Sequence, residues 1–294
     1  MNSPLLTQLS SALALRQLPD GSVRGAEAEP IRVDATAWAA LAWSLLGEEE
    51  RARAAAHALM SAQARDGRLS SAPQHPGSSW PTPIAALAWR SMEGFDASWR
   101  DAVSYLLAES GQRLERESGS PVAIDSSIVG WPWVERTFSW VAPTAQALLA
   151  LAACGEGRHA RADEGRRMLL DRQLPAGGWN YGNTLVFGAE LLSAPEETAL
   201  ALAALAGEVE RGLVDRSLRV LRDEAARVRT PLTLGWAVLA LAAWGERPGD
   251  AEARLEESFA RAGRYGGYDT ADVALLAIAG AAPDGLLAAL RRRR

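Results

Sequence analysis

Acidic side chains stand at the starts of two strongly apolar segments of this chain. Asp34 precedes Thr36-Ala37-Trp38, and Asp269 and Asp272 flank Thr270-Ala271. A carboxyl group so placed can hand a proton to a bound substrate, and it can equally cap a helix by accepting hydrogen bonds from the unpaired N–H groups there. Asp34 and Asp269 have the position of caps, whereas Asp272, one turn further in, is not explained that way. Trp38, Trp80, Trp140 and Trp236 fall in or just before such segments, and Tyr268 adjoins Asp269; the chain has 11 Trp against 4 Phe and 4 Tyr. An indole face stabilises a cation by about 0.5–2 kcal/mol, which suits carbocation chemistry or an apolar ligand, with ordinary packing as the competing explanation. Together these residues describe an apolar pocket with Asp269 and Asp272 as candidate acids. The five side chains are its substrate-lining aromatics, and Asp34, Glu135, Arg136, Glu196 and Glu197 form a charged rim.

The elements that must position them announce themselves by repetition. Ala, then Ala three residues later followed by a large apolar residue, occurs at Ala39/Ala42/Trp43, Ala85/Ala88/Trp89, Ala147/Ala150/Leu151, Ala201/Ala204/Leu205, Ala237/Ala240/Leu241 and Ala274/Ala277/Ile278. This is the pattern of stacked or ringed supersecondary units. The surrounding segments 34–47, 80–92, 143–154, 197–206, 231–244 and 269–280 are apolar on nearly every face, so they read as buried helices whose alanines permit close approach. Between them, 51–63, 163–173, 209–224 and 252–261 mix apolar and charged residues at helical spacing, as helices with one wet face do. Alternating dry and wet helices, six of each, close into a double ring: an all-α, α/α toroid occupying 1–294 as a single domain. The long connection 114–141 is placed to cover the opening, and 291–294 reads as a frayed basic tail.

Three turns carry a further signal: Gln17 with Gly21, Gln63 with Gly67, and Gln173 with Gly177, the last continuing to Trp179. Each ends an amphipathic helix with Gln and supplies Gly four residues on, where a helix exit needs a left-handed backbone. Through this Gln-x-x-x-Gly-x-Trp pattern the chain resembles the terpenoid cyclase and protein prenyltransferase superfamily, of squalene-hopene-cyclase-like repeat proteins, over roughly Gln17 to Gly280. The resemblance implies an α/α toroid, repeat-to-repeat ties made by the motif's Gln and Trp, and chemistry in a central cavity.

The chain departs from the activities that the resemblance implies. Triterpene cyclases protonate with an Asp-x-Asp-Asp-Thr-Ala sequence, of which only Asp269-Thr270-Ala271 is present, without the flanking carboxylates that make the acid strong. Prenyltransferases hold zinc with an Asp-x-Cys pair and a His; here Cys154 ends an apolar segment and His57, His75 and His159 lie elsewhere. Zinc-dependent prenylation is therefore not expected, no metal or cofactor is called for, and a divalent ion would enter only with a bound diphosphate.

A net charge of -5 without a basic stripe argues against nucleic acid. One cysteine and no leader-like start suit the cytoplasm, and no segment reads as a membrane span, with peripheral attachment left open. The expected function is an apolar cavity for an isoprenoid or similar lipid, with acid-initiated cyclisation or isomerisation by Asp269 or Asp272. Noncatalytic lipid binding and a protein-interaction scaffold with a Trp-filled ring are the alternatives. Sugar processing, which also uses toroids, ranks behind them.

Overall fold

The computed structural model describes residues 3–26, 30–115, 124–264 and 267–293. Six apolar segments form inner helices: α2 (Val33–Leu46), α4 (Thr82–Arg90), α6 (Val141–Ala153), α8 (Pro195–Leu205), α10 (Pro231–Ala243) and α12 (Thr270–Ala281). Each packs on the next, and α12 packs back on α2, so the six close into a ring. Six amphipathic helices lie outside it: α1 (Pro4–Ala14), α3 (Glu49–Ala62), α5 (Asp96–Ala108), α7 (Ala160–Asp171), α9 (Asp215–Ala225) and α11 (Ala251–Ala260). Each bridges two neighbouring inner helices or packs against one. The molecule is an α/α toroid.

The alanines explain the closeness of the ring. Ala39, Ala42, Ala85, Ala88, Ala147, Ala150, Ala237 and Ala240 are fully buried, and Trp43, Trp89, Leu151 and Leu241 fill the space beside them. The expected wet helix 209–224 is shorter than its pattern, because a 3-10 turn at Arg211–Leu213 precedes it and α9 starts only at Asp215. Gly207, with positive φ, and Gly212 lie in the segment that interrupts it.

The Gln turns tie one outer helix to the next. Gln17 donates to the carbonyl of Arg51 (3.1 Å), Gln63 to that of Ser98 (2.9 Å) and Gln173 to Ser217 Oγ (2.7 Å), each acceptor lying in the first turn of the following outer helix. Trp179 donates from Nε1 to the Leu169 carbonyl at 2.6 Å, and Trp131 repeats this with Leu106 at 2.8 Å. A threonine near the start of the inner helix completes each repeat. Thr36, Thr82, Thr144 and Thr198 accept through Oγ1 from the N–H of Val23, Leu69, Trp131 and Trp179 at 2.9–3.0 Å. Val23 and Leu69 thus occupy the place that Trp131 and Trp179 fill in their repeats.

Closure uses different chemistry. At the seam between the last and first repeats, buried Arg16 donates to Thr270 Oγ1 (2.9 Å) and to the Tyr268 carbonyl (2.9 Å). The Thr270 hydroxyl in turn donates to the Arg24 carbonyl (2.6 Å), and its N–H to that of Gly25 (2.7 Å).

The chain end also differs from expectation. Leu286–Arg291 forms α13, whose Leu286, Ala289 and Leu290 are buried. It touches α6, α10 and α12, helices from different sides of the ring, and so stoppers the end where the inner helices finish. Of the expected tail, Arg291 belongs to this helix, Arg292 pairs with Asp284 at 2.6 Å, and Arg294 lies outside the described residues.

Two glycines with similar backbone angles separate the costs of conformation and of space. A Cβ on Gly67 (φ +93°) would stand 2.0 Å from the Asp101 carbonyl oxygen, whereas one on Gly47 (φ +81°) would meet nothing within 4 Å. Urea denaturation should show Gly47→Ala costing about 1–2 kcal/mol, the left-handed penalty alone. Gly67→Ala should cost roughly 3 kcal/mol or more, because the close approach of this turn to α5 must also open. Equal costs would contradict the close approach.

Candidate functional site

The N-terminal ends of the inner helices share one face of the ring, and two contacts define its interior. Trp38 on α2 and Trp236 on α10 meet edge to face with ring centroids 5.9 Å apart, although α12 stands between their helices. That contact crosses the inside of the ring. Both are the sixth residue of their helices and both are buried, so they form a floor one turn or more below the mouth. Gln146 is the sixth residue of α6, is 8% exposed, and has a side-chain oxygen with no partner. The two indoles thus meet inside the ring at this level, below the first turns of the inner helices.

Three carboxyl groups stand in the first turn above that floor. Glu196 on α8 feels the charge of Asp272 on α12, again across the intervening α10. Burial, and secondarily this repulsion, raise the pKa of Glu196; burial and the neighbouring Asp269 raise that of Asp272. Glu197 is 5% exposed and lies deepest. Burial first and Glu196 second push its pKa up to about 8, against the pull of the Ala142 backbone N–H at the start of α6. Its Oε2 has no hydrogen-bond partner. At neutral pH the arrangement presents a protonated carboxyl beside two further carboxyls: an acid able to give a proton to an oxygen, with groups nearby able to receive one.

Asp269 is engaged otherwise. Its Oδ1 accepts from the Ala271 N–H (2.9 Å) as an N-cap, and its Oδ2 pairs with Arg32 Nη1 at 2.6 Å. Arg32 also grips buried Asp34 through Nε (3.1 Å) and Nη2 (2.5 Å), a two-point pairing that raises the guanidinium pKa. Asp34 and Asp269 are thus joined by one arginine across the seam.

The remaining candidate aromatics and rim residues have other partners. Tyr268 donates its hydroxyl to the Ser258 carbonyl on α11 at 2.8 Å, which turns it to the seam. Trp80 packs edge to face on Trp133 at 6.0 Å. Glu135 pairs with Arg68 and accepts from the Tyr105 hydroxyl (3.1 Å), and exposed Arg136 holds a left-handed backbone (φ 63°) beside it. These two border an open polar groove of about 600 Å³ between outer repeats. Trp140 lines a separate pocket.

The connection 114–141 was expected to cover the opening; residues 116–123 of it lie outside the described residues. Just before it Arg113 pairs with Glu164 (2.6 Å), and within it the Asp125 N–H donates to Asp171 (3.0 Å), both acceptors lying on outer helix α7. Next to it, residues 181–194 carry a two-stranded hairpin, β1 (Leu185–Val186) and β2 (Ala189–Glu190), with exposed Phe187 at its tip.

Sequence reasoning missed Arg32, Gln146 and the depth of Glu197. Arg32 stands two residues before Asp34, and Gln146 interrupts an otherwise apolar face; both were visible as polar residues out of pattern. Among the described residues, no group of three or more His, Cys, Asp or Glu side chains is placed to hold a metal ion. No helix among them is long and apolar enough to cross a membrane.

No family model matches the sequence, and no curated protein matches it. Solved structures match in fold. An inactive variant of the α-1,6-mannanase GH76A of Salegentibacter sp. HEL1_6, bound to α-1,6-mannotriose, aligns with a TM-score of 0.63 at 11% identity over 95% of this chain and 98% of its own. Rex8A of Paenibacillus barcinonensis, as a double mutant, aligns at 0.57 and 11% identity over 96% and 93%. The type II terpene cyclase MstE of Scytonema aligns at 0.50 and 19% identity over 74% of this chain, which spans 62% of the cyclase. The fold that these structures share with the chain is the α/α toroid.

Proposed function

We propose that the protein is an acid–base enzyme of the cyclase-like toroid type, acting at the axial mouth on an apolar, isoprenoid-like substrate that bears an oxygen function. The observation that carries this reading is Glu197, a buried carboxyl with one oxygen unpartnered among the described residues, whose pKa burial pushes up to about 8. A carboxyl of that strength is a poor donor to a bare alkene and a competent one to an epoxide or ether oxygen. In the proposed reaction, Glu197 transfers its proton to the oxygen and the carbon–oxygen bond breaks. The developing cation lies over Trp38 and Trp236, where an indole contributes about 0.5–2 kcal/mol. Glu196 or Asp272 then takes the proton released when the carbon skeleton rearranges. Asp269 is assigned to closure of the ring, and Asp272 stays in the site as a proton acceptor rather than as the first donor.

A second reading, glycoside hydrolysis, is favoured by one feature: a raised-pKa acid facing ionisable carboxyls over an aromatic floor is also the arrangement that protonates a glycosidic oxygen. The mannanase covers nearly all of both chains in the alignment, and its inactive form lacks two consecutive aspartates, as Glu196 and Glu197 are consecutive here.

Incubation with terminal epoxides of squalene and geranylgeraniol, and separately with α-linked manno-oligosaccharides, followed by mass spectrometry, decides between them. Cyclised or rearranged products are expected from the epoxides, and cleaved oligosaccharides with intact epoxides would establish the second reading instead. Glu197→Gln should lower the rate on the active substrate by about 100-fold or more, and the wild-type rate should fall as pH rises through about 8. A rate unchanged in that variant rejects Glu197 as the acid. Asp269→Asn should leave the rate within about threefold while costing about 1 kcal/mol of stability through the lost pairing and weakened cap.

The same group makes a prediction about stability. A carboxyl with a folded pKa above its ordinary value binds a proton more tightly folded than unfolded. Stability should therefore decline as pH rises from about 4.5 to about 8 and level off above it. Thermal unfolding of Glu197→Gln should show a shallower decline over that window and a higher melting temperature than wild type at pH 9.

A further inference from the structure

The residue just before the first alanine of each repeat copy is Trp38, Ile84, Gln146, Leu200, Trp236 or Val273. Trp38 and Trp236 meet across the interior of the ring, which marks this repeat position as one that faces inward. Five of the six are apolar and buried. Gln146 is buried as well, at 8% exposure, yet its Oε1 has no hydrogen-bond partner among the described residues. A buried acceptor without a donor destabilises the fold, and an apolar side chain, as in the other five copies, would remove that cost.

A second unpartnered oxygen belongs to the same place. Glu197 is tied to α6 by the Ala142 backbone N–H, and its Oε2 has no partner. Ala142 stands four residues before Gln146, which is one turn and about 6 Å along the helix. Side chains on a helix lean towards its N-terminus, so Gln146 leans towards the turn where Glu197 meets α6. Two O–H···O bonds placed end to end span roughly 5.5 Å, so one oxygen atom set between the two groups reaches both. A protonated carboxyl donates and an amide oxygen accepts. The group that accepts on one side and donates on the other is a neutral hydroxyl; an ether only accepts, and an ammonium only donates.

We propose that Gln146 is a specificity-determining residue of the axial site, its side-chain oxygen accepting a hydrogen bond from a ligand hydroxyl that itself accepts from Glu197, so that the site selects an apolar molecule carrying a neutral alcohol. The assignment rests on the reading of the axial mouth as a substrate site and adds the functional group that is held there. When Glu197 gives its proton to an epoxide oxygen, the carbon–oxygen bond breaks with its electron pair staying on oxygen, and the transferred proton becomes the hydrogen of a new hydroxyl. Gln146 gains its donor only as that hydroxyl forms, an interaction made in the transition state and not with the epoxide.

The test compares homoprenyl alcohol with prenyl methyl ether, two isomers with the same isoprenoid end, by ligand-observed NMR titration of the full-length protein at about pH 6, where Glu197 keeps its proton. The alcohol is expected to bind about tenfold more tightly. Gln146→Met, of similar length without the amide oxygen, and Gln146→Leu, which copies Leu200, should bring the two affinities within about twofold, with melting temperatures equal to or above wild type because a buried orphan is gone. Glu197→Gln, whose amide still donates, should keep most of the alcohol preference while losing turnover. Equal affinities of the isomers for the wild type, or an unchanged preference in both Gln146 variants, overturns the assignment of Gln146. Melting temperatures lowered by several degrees in both variants overturn it too, since they would make Gln146 a structural residue. An alcohol preference that depends on Gln146, with epoxides left unreacted, supports this assignment and rejects the catalytic reading alone.

Discussion

A closed ring has one joint that sequence-local contacts cannot make, and here it rests on two arginines. Every other pair of adjacent repeats is joined by residues a few tens of positions apart. At the seam, by contrast, Arg16 must find Thr270 and Tyr268, and Arg32 must find Asp269, across almost the whole chain. Without that joint, α2 and α12 would expose faces of alanine, leucine and tryptophan that are fully buried in the ring. The seam adds these polar contacts to the apolar packing of α12 on α2 and α1. A buried guanidinium offers several donors in a fixed geometry, and at Arg16 these meet a carbonyl and a hydroxyl while Arg32 meets two carboxylates, so the register of closure is specified as well as its energy.

Closure in turn produces the electrostatics of the mouth. Small residues bring the inner helices together, and the indoles of Trp38 and Trp236 meet beneath their first turns, so a carboxyl in the first turn has protein rather than water on most sides. Glu197 is desolvated for this reason, and Glu196 and Asp272 less so. The two acidic groups on the same face are treated in opposite ways. Asp34 and Asp269 share an arginine across the seam, while Glu196, Glu197 and Asp272 have no ion pair among the described residues.

Much of this architecture was legible because it repeats. Six apolar segments and the Gln turns are periodic signals, and period is what a sequence displays most plainly. The Thr ladder was equally periodic, with Thr36, Thr82, Thr144 and Thr198 each three residues before the first alanine of its copy. Its spacing is not distinctive, because a threonine at a helix start also serves as a cap. Trp131 escaped because the 114–129 insertion separates it from the end of α5, so its tie to Leu106 is not at motif spacing. The α13 stopper occurs once, has no partner copy, and looked like a tail because its charges follow its leucines. The site was less legible still: which acid pairs with Arg32 and which stays unpaired depends on contacts between helices 1, 4 and 6 of the inner ring, and nothing in the spacing of Asp269 distinguishes it from Glu197.

The difference between those two acids bears on the chemistry that this toroid can perform. A carboxyl made strong by hydrogen bonds to its anion and a carboxyl made weak by desolvation are opposite devices, even on the same fold and at the same end of the barrel. Glu197 belongs to the second kind, since its one noted backbone donor, Ala142, is outweighed by burial. Such a group loses its proton readily only to a base whose own basicity rises in the transition state, as an oxygen's does when its bond to carbon breaks. On the function proposed above, the substrate is therefore one in which an oxygen leaves. That requirement is common to an epoxide and a glycoside, so the identity of the substrate turns on what lies over the indole floor, not on the acid.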